Sequence, residues 1–305
     1  MGWHVLPYTL AAEGTTPVSS EDWQRVHTDV ASSLVPFAGR LAVERHTRGA
    51  SQSLSPFVDV SGEGYSYPLE MAVQEQRFLL RMREVFERIS PIAEARFTDM
   101  VARKEIGLSI LPDGQPQAAA FDFLLDGRPR TLTSVYGNQS DISELAHEAG
   151  HAFYKIAATN QPLVWNRVPR HDIDELVAIS FELISSEHFE VFFERDVARL
   201  AQLTLVEENI LNIPVWYQRS AFGFALHDRM ITDPAERAEI WGRSLDDFLP
   251  YKDWSGATDV RAHGYLIDEE TYGPLAQHAR YMLGAPGALE VWMQYRKDSS
   301  GTLRR

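Results

Sequence analysis

The sequence predicts a mainly α-helical chain with one small antiparallel β-sheet, an α+β fold. Long stretches carry apolar residues at the three-to-four-residue spacing of an amphipathic helix. Between them, residues 105–136 break into short apolar or β-branched runs separated by turn residues. At 305 residues the chain can also bury a substantial core. The expected order is a helical part over 1–100, the sheet over 101–140 and a second helical part over 141–305, within a single domain.

The elements follow in order. "SSEDWQRVHTDVASSLVPFAGRLAVE" opens on a serine cap and places Trp23, Val26, Val30 and Leu34 at helical spacing. "LEMAVQEQRFLLRMREVFERISPIAEARFTDMVAR" is a longer amphipathic pattern that proline should break near Pro91. "EIGLSIL", "AAAFDFLL" and "RTLTSVYG" read as strands, with "PDGQPQ" and "DGRP" as the turns of an antiparallel sheet. From residue 141 the pattern is helical almost to the polar "RKDSSGTLRR".

Composition narrows the function. A net charge of −14 leaves no basic stripe to neutralise phosphates, so no nucleic-acid partner is expected. With no cysteine, a metal would need His, Asp or Glu ligands. The start "MGWHVLPYTLAAEG" has no signal-peptide pattern, and Leu6 occupies the position where a myristoylation signal needs Ser or Thr. No apolar run approaches bilayer-spanning length. The expectation is a soluble, cytoplasmic protein with no membrane partner.

The segment "SELAHEAGHAFYK" carries the chemistry. His147 and His151 are one turn apart on a helix that Asp141 and Glu144 should open as a capping box. Two imidazoles so placed can share a Zn²⁺, with Glu148 beside them to reach a bound water. Two ordinary histidines on one helix face would show the same spacing. Downstream, "RHDIDELVAISFELISSEHFEVFFE" reads as a helix with Asp172 as its cap. Glu175 in its first turn is a candidate third ligand, although a first-turn acid is also favoured by the helix dipole. His171 competes with it. Glu182 lies in an apolar stretch where an unpaired carboxylate is costly, which suits a partner to a ligand histidine.

"DISELAHEAGHAFY" followed by "DELVAISFEL" resembles the oligoendopeptidase F and thimet oligopeptidase family of zinc metallopeptidases. That family pairs a His-Glu-x-Gly-His helix with a downstream Glu-x6-Glu segment; Gly150, Glu175 and Glu182 occupy the matching positions. The resemblance extends over about residues 30–295. It implies a zincin-like metallopeptidase catalytic domain holding one Zn²⁺ per chain on His147, His151 and Glu175, with Glu148 as general base. "RAHGYLIDEETYG" resembles the family segment whose histidine and tyrosines face the substrate, which maps those roles onto His263, Tyr265 and Tyr272. The strand Thr131, Leu132, Thr133, Ser134, Val135 and Tyr136 would pair as a sheet edge with an extended oligopeptide. Ser134-Val135-Tyr136 departs from the asparagine–aromatic pattern of many relatives.

The implied activity is metalloendopeptidase hydrolysis of oligopeptides. The alternative is a zinc-containing peptide-binding or scaffold protein without turnover. Relatives carry a long helical N-terminal half that the sequence does not show. Either longer polypeptides gain access to the cleft, or a homo-oligomer supplies the missing wall; the oligomer is the favoured expectation.

Overall fold

The computed structural model of the chain describes residues 20–47, 67–69, 75–110, 119–121, 128–159, 161–167, 171–266 and 275–297. Tyr272 and the side chains of His171 and Asp172 lie outside the described residues. The helices are α1 (Ser20–Thr47), α2 (Glu75–Ile89), α3 (Pro91–Ala102), α4 (Gln139–Thr159), α5 (His171–Ser186), α6 (Arg195–Asp228), α7 (Pro234–Phe248), α8 (Thr258–His263) and α9 (Leu275–Lys297). The strands are β1 (Ile106–Ile110), β2 (Ala119–Phe121) and β3 (Arg130–Val135). Among the described residues no helix is long and apolar enough to cross a membrane.

Contacts divide the chain into two compact units, one of Met1–Gly64 with Glu207–Met282, the other of Tyr65–Val206 with Leu283–Arg305. In the second, α2 ends at Ile89 and α3 restarts at Pro91, whose missing N–H costs nothing at a first helical position. Ser90 caps the restart, its hydroxyl accepting from the Ala93 N–H at 3.1 Å. The core of this unit is aromatic. Phe86 of α2 meets Phe97 of α3 at 4.7 Å and Phe153 of α4 at 5.4 Å, and Phe153 meets Phe181 of α5 at 5.3 Å.

The sheet corrects the sequence reading. Its order is β1-β3-β2, with β1 parallel to β3 and only β2 antiparallel to it. A chain running up, down and up always sends its first and third strands the same way. Turn residues specify those reversals but not which strands become neighbours, and here β3 inserts between the other two. It is therefore not an edge. Thr131 and Leu132 pair with Ile106 and Gly107 on one side and with Ala120 and Ala119 on the other. The described edges belong to β1 and β2.

In the first unit, α1 is fastened by the Arg45–Glu208 ion pair at 2.9 Å. Trp23 stacks on His27, whose ring also meets the edges of Tyr217 and Phe248. A second ring cluster joins Phe222, Trp241 and Tyr265. Helix α9 contains Gly284, Pro286 and Gly287 in its interior, in the part that belongs to the second unit. Helix propensity alone sets about 1 kcal/mol against each glycine and about 3 kcal/mol against the proline.

Candidate metal centre

Helix α4 begins two residues before the expected capping box, at Gln139. The Asn138 side chain takes the Ser140 N–H at 2.9 Å, as a cap does. Asp141, freed from capping, turns its buried carboxylate back toward the strand. It accepts the N–H groups of Tyr136, Gly137 and Asn138 at 2.8, 2.7 and 3.0 Å. Gly137 sits at φ 82°, where a side chain would be strained. Burial raises the Asp141 pKa, with the three N–H bonds acting against it. This turn fixes the start of the helix that carries the two histidines.

Helix α5 lies against α4 at Gly150. A Cβ there would stand 2.8 Å from the Cα of Ala178, so only glycine lets the two backbones approach this closely. The approach brings His147, His151 and Glu175 together, with one ligand atom from each lying within 4.8 Å of the others. Oε2 of Glu175 is 3.7 Å from Nε2 of His147 and 3.7 Å from Nε2 of His151. The other ring nitrogens are engaged from behind. Nδ1 of His147 meets Glu182 at 3.1 Å, and Nδ1 of His151 meets Asp174 at 2.8 Å. Both Nε2 atoms therefore face the carboxylate of Glu175.

The donor set fits a divalent cation. Glu175 is buried, and its Oε2 has no hydrogen-bond partner among the described residues, a costly arrangement unless a positive centre meets that oxygen. Bonds of about 2.1 Å in a tetrahedral zinc site separate the ligand atoms by about 3.4 Å, close to the spacing found here. Glu148 is buried beside them, and its Oε2 is also without a hydrogen-bond partner among the described residues. Burial raises the Glu148 pKa, with His147 and His151 pulling the other way. At His147 burial opposes protonation, but the Glu182 hydrogen bond and the charges of Glu182, Glu148 and Glu175 outweigh it and hold the pKa up at about 9.

Asp174 escaped the sequence reading because an acid in the first turn of a helix has an ordinary explanation in the helix dipole. Its second oxygen lies 3.9 Å from Lys155, which stands one turn beyond His151 on α4. Among the remaining candidates, His263 is exposed at the end of α8. Tyr265, expected to face a substrate, is instead packed among Phe222 and Trp241, and its hydroxyl donates to the Pro234 carbonyl at 3.5 Å. The expected substrate strand, Thr131 to Val135, lies in the middle of the sheet, and Tyr136 follows in the turn held by Asp141.

No family profile and no curated protein matches the sequence. Solved structures do match the fold. One described as an oligoendopeptidase F superimposes with a TM-score of 0.84 at 20% identity, covering 98% of this chain and 53% of the other. PZ peptidase A, solved with an inhibitor, gives 0.84 at 19% identity with the same coverage. Another, from Bacillus anthracis str. Ames and likewise described as an oligoendopeptidase F, gives 0.76 at 17% identity, over 96% of this chain and 49% of that one. The chain spans about half the length of these structures. Over that half, it has the fold of the oligoendopeptidase F-type peptidases.

Proposed function

We propose that the protein is a zinc-dependent endopeptidase acting on oligopeptides. The observation that carries this reading is the unpartnered, buried Oε2 of Glu175, equidistant at 3.7 Å from two Nε2 atoms whose rings are held by Glu182 and Asp174. The fold shared with solved peptidases supports it.

His147, His151 and Glu175 would hold one Zn²⁺. When bound, the ion supplies Lewis acidity, polarising the scissile carbonyl and lowering the pKa of water. Glu182 and Asp174 keep the Nδ1 protons in place, so each ring presents its Nε2 lone pair. Glu148 takes a proton from the attacking water as its oxygen bonds to the carbonyl carbon. It then passes that proton to the amide nitrogen as the C–N bond breaks, leaving a carboxylate and an amine. A carboxyl whose pKa is raised by burial suits both halves of that transfer. The family resemblance would give His263 and Tyr272 the role of hydrogen-bond donors to the oxyanion. An extended substrate would add to an edge of the sheet, and among the described residues β2 is one such edge. A peptide-binding protein without turnover has no use for the buried, unpartnered oxygen of Glu148.

The test is metal analysis with cleavage of a quenched fluorescent peptide by wild type and Glu148→Gln. Wild type should carry about one Zn²⁺ per chain and cut the peptide. The variant should keep the metal and lose on the order of 10²–10⁴ in rate. Equal turnover by the two proteins would overturn the mechanism.

A further inference from the structure

We propose that Gly284 and Gly287 of α9 are positioning residues for the Glu175 carboxylate: they let α9 close on α5 at Glu175–Leu176, and that contact fixes where the carboxylate stands relative to His147 and His151. The inference rests on reading those three residues as one metal site.

A Cβ added at Gly284 would meet the backbone nitrogen of Leu176 at 3.0 Å, the Cβ of Glu175 at 3.1 Å and the Glu175 carbonyl carbon at 3.3 Å. One turn on, a Cβ at Gly287 would meet Cδ1 of Leu176 at 2.6 Å. The two contacts differ in kind. At Gly284 the obstacle is backbone and the root of the Glu175 side chain, which cannot rotate away. At Gly287 it is the tip of a leucine, which can.

Glu175 lies near the start of α5, where helices fray unless tertiary contacts hold them. Two backbone-level contacts hold this one, Gly150 against Ala178 and Gly284 against Glu175–Leu176. An alanine at Gly284 would force its neighbours to give by a few tenths of an ångström. Metal–ligand distances tolerate only about 0.2 Å, so the movement would be felt at the carboxylate. The same stretch of α9 contains Pro286, and three residues that weaken a helix are poorly chosen for any purpose served by a plain helix face. Close approach to Glu175 and Leu176 accounts for Gly284, and close approach to the Leu176 side chain for Gly287.

The experiment uses the full chain. Zn²⁺ affinity is measured by competition with a chromophoric chelator, Co²⁺ coordination by visible absorption, and apo-protein stability by thermal melting. Gly284→Ala should weaken Zn²⁺ binding about tenfold or more and alter the Co²⁺ spectrum, and adding Leu176→Ala should not restore either. Gly287→Ala should weaken binding by about threefold, and Leu176→Ala should restore it because the strain passes through that side chain. A purely structural role would shift the melting temperature and leave affinity and spectrum at wild-type values, which overturns the proposal. Should Gly284→Ala fail to fold, Gly287→Ala decides alone, and wild-type affinity there overturns the proposal equally. A wild-type protein that binds no Zn²⁺ would overturn the metal-site reading, and this proposal with it. A wild type that binds, beside glycine variants that bind as well, would overturn this proposal only.

Discussion

Oδ1 of Asp174 stands 2.8 Å from Nδ1 of His151, while the next residue, Glu175, brings its Oε2 to within 3.7 Å of Nε2 on the same ring. Two adjacent acids thus address one imidazole from opposite nitrogens. One orients the ring, and the other stands where the ring's lone pair points.

Their substitutions should separate cleanly. Glu175→Ala should abolish stoichiometric Zn²⁺ binding, whereas His171→Ala should retain it. Asp174→Asn and Glu182→Gln should each lower affinity by about 10- to 100-fold, the usual effect of removing a group that orients a metal-bound histidine. Competition with a chelator reads all four. Full retention of zinc by Glu175→Ala would remove it from the ligand set.

Gly150→Ala should destabilise the second unit by about 1–3 kcal/mol, because its methyl group meets backbone at Ala178 and cannot be accommodated by a rotamer change. Urea unfolding measures the loss. A variant as stable as wild type would show that α4 and α5 can separate freely.

A pH dependence follows from His27. Desolvation holds its pKa down at about 4 against an ordinary 6.5, and its buried Nε2, beside Trp23, Tyr217 and Phe248, has no hydrogen-bond partner among the described residues. As pH falls, the unfolded chain takes up this proton first. The stability present above about pH 6.5 is therefore lost as pH falls toward 4. The loss is at most about 3 kcal/mol, less whatever solvent screening removes. His27→Phe should flatten that part of the stability–pH curve in urea unfolding. An unchanged slope would show that this ring is not its source.

Phe37 and Val43 of α1 are each 46% exposed. Leu80 of α2 and Ile92 of α3 are more exposed still. Such apolar surface favours association, so sedimentation should show a dimer or larger species. A protein that sediments as a monomer would show that this exposed surface does not suffice for association.

The helices were legible because their apolar spacing and their punctuation agree, as at Ser90–Pro91, where one residue caps α3 and the next begins it. His147 and His151 could be picked out as a pair because one helical turn separates them, and sequence records that spacing directly. Spacing left Glu175 and His171 as competing third donors, and the resemblance to the peptidase family is what favoured Glu175. Strand order was not legible, since "DGRP" and "PDGQPQ" mark reversals without naming neighbours. Asp174 was hidden by an ordinary alternative. The surroundings of Tyr265 were not legible, because a tyrosine beside a motif looks the same in sequence whether its hydroxyl meets a ligand or a main-chain carbonyl. The GAPG stretch of α9 was the unused signal: glycine and proline inside a helix point to something pressed against it.

The turn gathered by Asp141 also decides where negative charge can be received. A helix N-terminus ordinarily offers unpaired N–H groups to an anion. Here the Tyr136, Gly137 and Asn138 N–H groups are committed to Asp141, Gln139 N–H to the Tyr67 carbonyl, and Ser140 N–H to Asn138. The positive end of the histidine-bearing helix is a closed socket, plugged by a residue of its own first turn. A free carboxylate or phosphate finds no docking point there, and an anion approaching this helix has to be met by side chains instead.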